Sequence, residues 1–264
     1  MDFKRLKVNI CGVNVDDISA EIAVDKIIKM ARDKSGGHYV VTVNSEFVMM
    51  AHKNRKFAQI LNNADLAVAD GVGIVLAKLI LGGREHERVT GVGLVYMLCE
   101  KVANKPITLG FLGGFGSVAA QVSKRQKEKY IGLKVAYAGS GDPAIGYDSR
   151  LKTEFSRLSR IDILFVAYGM GQQEFWIERN RKNLNVGVFI GVGGTFDYIS
   201  GVKKRAPVIM QKVGLEWLWR LMYEPSRIWR MRLLPVFVLL VFSNFFKKTL
   251  LKFCLIENNY RSKI

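Results

Sequence analysis

From His38 to Ile190 the chain alternates short apolar runs with longer stretches whose apolar residues recur at helical spacing. The runs His38–Val43, Leu66–Ala69, Ile107–Leu112, Leu133–Ala138, Ile161–Tyr168 and Val186–Ile190 have the length and unbroken apolar character of strands buried on both faces. Ahead of them, Val8, Ile10, Val13 and Val15 alternate around Cys11-Gly12 and predict a small hairpin over Lys7–Val15. Ser19 is placed to cap a helix running to about Arg32, with Ala23, Ile27, Ile28 and Ala31 on one face, and Lys34-Ser35-Gly36-Gly37 stops it. Further helices are predicted over Val92–Val102, Ser117–Ile131 and about Ser149–Leu158, and one opens after Gly169. The stretch Ile74–Leu81 is apolar nearly all round, which predicts a helix covered on more than one side. Strands and helices in alternation predict an α/β fold built on a mainly parallel sheet with helices on both faces.

Polar residues gather where these runs end. Ala64–Gly73 reads Ala-Asp-Leu-Ala-Val-Ala-Asp-Gly-Val-Gly, so a buried strand delivers Asp70 straight into a glycine turn before a helix. Open α/β sheets bind ligands at that carboxyl edge, and glycines let a ligand approach the backbone and the first amides of the helix. The structural alternative is a turn aspartate capping the helix. Thr42-Val43-Asn44-Ser45-Glu46 repeats the pattern, and there Asn44 or Ser45 reads most simply as an N-cap. Gly113-Gly114-Phe115-Gly116 and Gly191-Val192-Gly193-Gly194-Thr195-Phe196-Asp197 end two other strands and are seats for a phosphate or ribose.

After Gly201 the pattern changes. Leu215, Trp217, Leu218, Trp219, Leu221 and Met222 load a helix that starts near Arg205-Ala206-Pro207 and ends at Glu224-Pro225. Arg227, Trp229, Arg230 and Arg232 precede the apolar run Leu233–Phe246, which contains Pro235 and is closed by Lys247-Lys248. That run is shorter than the ~20 residues a spanning helix needs. Tryptophan and arginine beside it describe a segment lying in a membrane interface; the alternative is a helix pair packed on the core. Two units follow, a core over 1–200 and a basic appendage over 201–264.

Charge sharpens this division. The net charge is +17, which calls for an anionic partner. Thirteen Lys and Arg follow Gly201 against three Glu, so +10 of the excess lies in the tail. A nucleic-acid surface would interleave basic residues with stacking aromatics across a groove, whereas here apolar bulk accompanies the charge, so an anionic membrane surface is expected instead. The chain has 264 residues and 49% hydrophobic content, enough for a full core. Cys11, Cys99 and Cys254 lie far apart and are expected as reduced thiols, and His38, His52 and His86 have no ligand spacing, so no metal is expected. Met1–Arg5 has no apolar core of a signal peptide, so none is expected. A nicotinamide oxidoreductase is disfavoured because Gly71-Val72-Gly73 lacks the third glycine at Leu76. What remains is the layout of a nucleotide or sugar-nucleotide pocket.

The blocks Thr42–Glu46, Ala69–Gly73, Arg88–Gly91, Phe111–Gly114, Gly169–Trp176, Gly191–Asp197, Arg205–Pro207 and Gly214–Trp217, in this order, resemble the WecG/TagA/CpsF glycosyltransferases over nearly the whole chain. That resemblance implies a Rossmann-like core, a C-terminal appendage that meets the membrane, and peripheral placement at its cytoplasmic face. It implies inverting transfer of a sugar, typically N-acetylmannosamine, from a UDP-sugar donor to a polyprenyl-diphosphate-linked N-acetylglucosamine, with no metal and no cofactor besides the donor. Carried over by position, Asp70 matches the catalytic base, Thr42 and Asn44 a polar pair, and Gln173 a pocket glutamine. Gly113, Gly114, Tyr137, Gly193, Gly194 and Asp197 are expected around the nucleotide sugar, and Arg220, Arg227 and Arg230 on the acceptor diphosphate. Two positions depart from the family pattern: Gly171-Gln172 replaces Pro-Lys, and Gly93 replaces an Asp. A homo-oligomer is left open.

Overall fold

The computed structural model describes residues 7–261, with side chains described for all of these except 230 and 250–261. A hairpin of β1 (Lys7–Ile10) and β2 (Val13–Asp16) leads into α1 (Ala20–Arg32), β3 (His38–Val43), α2 (Ser45–Lys53), α3 (Arg55–Asn62), β4 (Leu66–Ala69) and α4 (Val72–Ile80). Then come α5 (Gly91–Val102), β5 (Thr108–Gly113), α6 (Val118–Lys129), β6 (Lys134–Gly139), α7 (Asp148–Ser156), β7 (Ile161–Ala167), α8 (Gln172–Asn180) and β8 (Val186–Gly191). The chain finishes with α9 (Thr195–Ile199), α10 (Val208–Lys212), α11 (Glu216–Tyr223), α12 (Ile228–Met231) and α13 (Leu234–Arg261).

The six predicted strands form one sheet, ordered β4-β3-β8-β7-β5-β6, and every pairing is parallel. The central strands are buried on both faces, as their continuous apolar runs require. One face packs against α2, α3, α4, α7 and α8, the other against α1, α5, α6 and α9. Ser19 caps α1 as expected, accepting from the Ile22 N–H at 3.4 Å. The helical stretch after Asn44 divides at Asn54, which ends α2 and caps α3 by accepting from the Phe57 N–H at 3.0 Å. Cys11 and Cys99 are free thiols.

The tail departs from its sequence reading in two ways. Pro235 is the second residue of α13, where its missing N–H costs nothing. Lys247-Lys248 does not close the helix, which continues to Arg261 over 28 residues. No helix of the described residues is long and apolar enough to cross a membrane. α13 instead lies back on the core: Phe237 and Val241 are buried in the same apolar cluster as β3, α2 and α4. The packed-helix alternative therefore holds for this face, while Val236, Leu239 and Phe246 on the same helix stay exposed. Removing the Phe237 ring should leave a cavity between α13 and the core. Phe237→Ala is expected to lower unfolding stability by roughly 3–5 kcal/mol, read as a shifted urea midpoint. An unchanged midpoint would show that the helix contributes nothing to the core.

Candidate active site

β3 and β4 are in parallel register, Val43 opposite Ala69, so Asn44 and Asp70 leave the sheet side by side at its carboxyl edge. The Asp70 N–H donates to the Val43 carbonyl at 2.7 Å, and the Val89 N–H to the Ala69 carbonyl at 2.8 Å. Asn44 is the N-cap its position predicts, accepting from the Phe47 N–H at 3.1 Å. Asp70 does not cap α4: the N-cap there is Gly71, with φ at +117°, a conformation that favours glycine. The Asp70 carboxylate is left to face a cavity of about 510 Å³ that opens over this edge.

Burial lifts the Asp70 pKa to about 6, against Arg220 and Arg88, which draw it down; Glu216 pushes it up, and the Gly91 N–H donates to it and draws it down. A carboxylate poised near neutrality suits a general base.

The tail completes the cavity. Gly214 lies so close to the turn after Asp70 that a Cβ there would sit 3.0 Å from Val72 Cβ. Glu216, at the start of α11, gathers three guanidiniums: Arg88 at 3.3 Å, Arg205 at 3.4 Å and Arg220 at 3.9 Å. One carboxylate among three arginines leaves a local positive excess. The buried Nε–H of Arg220 has no hydrogen-bond partner, and the guanidinium lies 5.0 Å from the Tyr198 ring centroid. Arg227 pairs with Glu224 at 2.6 Å and Glu46 at 4.0 Å. Asn44, Asp70, Arg88, Glu216, Arg220 and Arg227 thus share one cavity wall. The Arg230 side chain lies outside the described residues.

The other expected residues do not line this cavity. Thr42 is buried and donates to the Gly191 carbonyl at 3.0 Å. Gln173 is buried too; it accepts from the Gly193 N–H at 2.9 Å and donates to Glu174 Oε1 at 2.7 Å. Both therefore brace the loop after β8 rather than face the open cavity. Burial raises Glu174 to about 7, while the donors from Gln173 and Gly171 oppose that rise. Gly113 and Gly114 serve close packing, since a Cβ on either would come within 2.7 Å of Ala167 or Val118. The Tyr137 hydroxyl donates to Glu154 at 3.2 Å. Asp197 pairs with Lys203 at 3.0 Å, and Lys203 reaches on to Glu224 at 2.7 Å, joining α9 to the tail. Gly193 and Gly194 border open space, where a Cβ would touch nothing within 4 Å.

Sequence reading assigned no role to Arg88 or Glu216. The available signal was the scarcity of acid in the tail: Glu216 is one of three carboxylates there, and at so basic a site an acid is a natural anchor for arginines. Ile74–Leu81 is also less covered than its composition suggests, because Leu76 and Ile80 are exposed and line the cavity.

Residues 8–250 match the model of the glycosyl transferase WecG/TagA/CpsF family. A Bacillus spizizenii protein named N-acetylglucosaminyldiphosphoundecaprenol N-acetyl-beta-D-mannosaminyltransferase is 34% identical over 208 residues, covering 78% of this chain and 79% of that one. A Staphylococcus aureus protein of the same name is 29% identical over 234 residues, covering 88% and 91%. With the parallel sheet, the strand-end carboxylate and a match spanning core and tail alike, the chain belongs to the WecG/TagA/CpsF family of glycosyl transferases.

Proposed function

We propose that this protein transfers N-acetylmannosamine from UDP to an N-acetylglucosamine carried on a polyprenyl diphosphate, with inversion, in the synthesis of a bacterial surface polymer. The observation that carries this reading is the composite cavity, with Asp70 from the sheet edge and Arg220 and Arg227 from the tail on one wall. In the reaction an acceptor hydroxyl attacks the anomeric carbon as Asp70 takes its proton, and the bond from that carbon to the UDP oxygen breaks. The electron pair leaves with UDP. Guanidiniums hold phosphate oxygens in pairs through their planar forks and offset the developing charge, so the residues present supply the electrostatics without a cofactor besides the donor. The open loop at Gly193 and Gly194, braced by Gln173 and Thr42, supports a donor seat beside Asp70, because Gly91 packs against Val192 and Thr195 on one side and donates to Asp70 on the other.

An anionic membrane surface at the cytoplasmic face is part of the same reading. Trp229 and Phe246 are 67% and 61% exposed, a larger outlay of aromatic surface than water favours. Lys247, next to Phe246 in sequence, is exposed too. Lys248 instead donates to the Leu81 carbonyl at 2.8 Å and ties α13 to the end of α4. Lys247→Gln should therefore weaken binding to anionic vesicles by roughly fivefold, since each basic residue near such a surface is worth about 1 kcal/mol. Turnover of a soluble acceptor should stay at the wild-type level. Equal binding of both proteins would contradict the surface assignment. Arg205, Arg220 and Arg227 pair with carboxylates, and Arg220 and Arg227 face the cavity rather than an open strip, which disfavours nucleic acid.

Incubation of the full-length protein with a panel of UDP-sugars and a GlcNAc-diphosphate lipid, followed by UDP release, tests the reading. Acceptor-dependent release is expected from UDP-N-acetylmannosamine. Absence of acceptor-dependent release with every sugar would overturn it.

A further inference from the structure

The cavity does not end at its charged wall. α4 starts just after Asp70, at Val72, and presents Val72, Gly73, Leu76, Ala77 and Ile80 to the cavity along a single stripe. α13 presents Leu234, Phe237, Val238, Val241 and Phe242 in the same spacing. The two helices run in the same direction. Phe237, near the start of α13, lies against Gly73, where a Cβ would be 3.7 Å from its ring, and Lys248, farther along, meets the Leu81 carbonyl at the end of α4. The stripes therefore leave the catalytic edge together and form an apolar groove between core and tail.

Four of its residues are held open to solvent: Leu76 is 54% exposed, Val238 48%, Phe242 46% and Ile80 37%. Keeping such side chains unburied in a formed cavity is unfavourable unless something apolar covers them. The occupant must also suit what lies at the mouth. The one cavity offers a carboxylate and Asn44, the guanidiniums of Arg220 and Arg227, and this groove. A lipid-diphosphate sugar carries the matching three chemistries: hydroxyl-bearing sugar, diphosphate and hydrocarbon.

We infer that the groove between α4 and α13 binds the isoprenoid units next to the acceptor's diphosphate, so that the protein draws the first part of the lipid out of the bilayer and onto itself. This inference rests on the acceptor class proposed above. From Gly73 to Ile80 the α4 stripe is about 10 Å long at the helical rise, which is room for roughly two isoprene units. Leu239, on the same helix, is 69% exposed and lies outside the groove lining, so it separates this site from general surface hydrophobicity.

The test uses full-length protein and GlcNAc-diphosphate acceptors bearing dimethylallyl, geranyl or farnesyl tails, without membranes. kcat/KM should rise by about tenfold or more from dimethylallyl to geranyl, in line with the transfer of several methylene equivalents from water, and change little from geranyl to farnesyl. In Leu76→Gln and Val238→Gln the ratio of geranyl to dimethylallyl kcat/KM should fall to about threefold or less, while Leu239→Gln keeps the wild-type ratio. Tail-independent turnover in the wild type, or equal ratios in all four proteins, would overturn the groove and leave the glycosyl-transfer reading standing. Calorimetry with farnesyl diphosphate against inorganic diphosphate separates the two claims in the other direction. Tenfold tighter binding of the farnesyl compound, lost in Leu76→Gln, upholds the groove even if no acceptor is turned over, in which case the transfer reading falls. Equal binding of the two diphosphates would overturn the groove.

Discussion

Asp70→Asn is expected to lower kcat/KM by ~10²-fold or more and, at the same time, to make the protein more stable at neutral pH. Burial holds the folded-state pKa of Asp70 near 6, above its ordinary 3.8. Between these values the folded chain binds more protons than the unfolded one, so this group's contribution to stability declines as pH rises through that window. Above pH 6 the carboxylate is charged in both states and the folded state bears the full cost of holding it away from water. Asparagine has the same shape and never ionises. The variant should gain roughly 1–3 kcal/mol at pH above the folded pKa and lose that advantage on acidification below the unfolded one. Paired thermal melts at neutral and acid pH read this directly. A variant that is less stable at neutral pH, with turnover intact, would return Asp70 to a structural role in the turn.

Arg220→Ala is expected to cost ~10²–10³-fold in kcat/KM, the range for leaving a desolvated acceptor phosphate without its charged partner. The fold should survive, because Glu216 keeps Arg88 at 3.3 Å and Arg205 at 3.4 Å. Arg220→Lys should restore only part of the activity, since an ammonium restores the charge and not the fork that holds two phosphate oxygens. Comparison of kcat/KM with the melting temperature for the three proteins checks this. If Arg220→Ala turned over at the wild-type rate, the arginine cluster would serve only to dock the tail. Both substitutions act where core and tail meet, so they are to be measured in the full chain.

How far the sequence reveals this arrangement depends on the range of the interactions involved. The six strands are readable because burial on both faces demands an unbroken apolar run, and Asp70 is readable because it interrupts one. Asn44 is readable as a cap from its own neighbours. The link between Arg88 and Glu216 spans 128 residues, and in isolation each looks like an ordinary solvated charge. Leu76 and Ile80 carry the opposite ambiguity: apolar side chains predict burial, and only the parallel course of α13 shows that they line a groove. The rule that ligands sit at strand ends also selects an edge and not a strand pair. β6 lies at the far end of the sheet from β4, so Tyr137 shares the edge with Asp70 without sharing the cavity. Gln173, which the resemblance places in the pocket, has its amide turned inward to Gly193 and Glu174, a fact that depends on how α8 meets β8.

The central claim is that the Asp70 carboxylate is the base, and the pH dependence of kcat/KM tests it most directly. With UDP-N-acetylmannosamine and a soluble GlcNAc-diphosphate lipid, log kcat/KM should rise with unit slope up to about pH 6, the folded-state value for Asp70, and level off above it. Asp70→Asn should retain only a low rate without that inflection. A wild-type profile that is flat through this region, or an Asp70→Asn profile with the same inflection, would contradict the account.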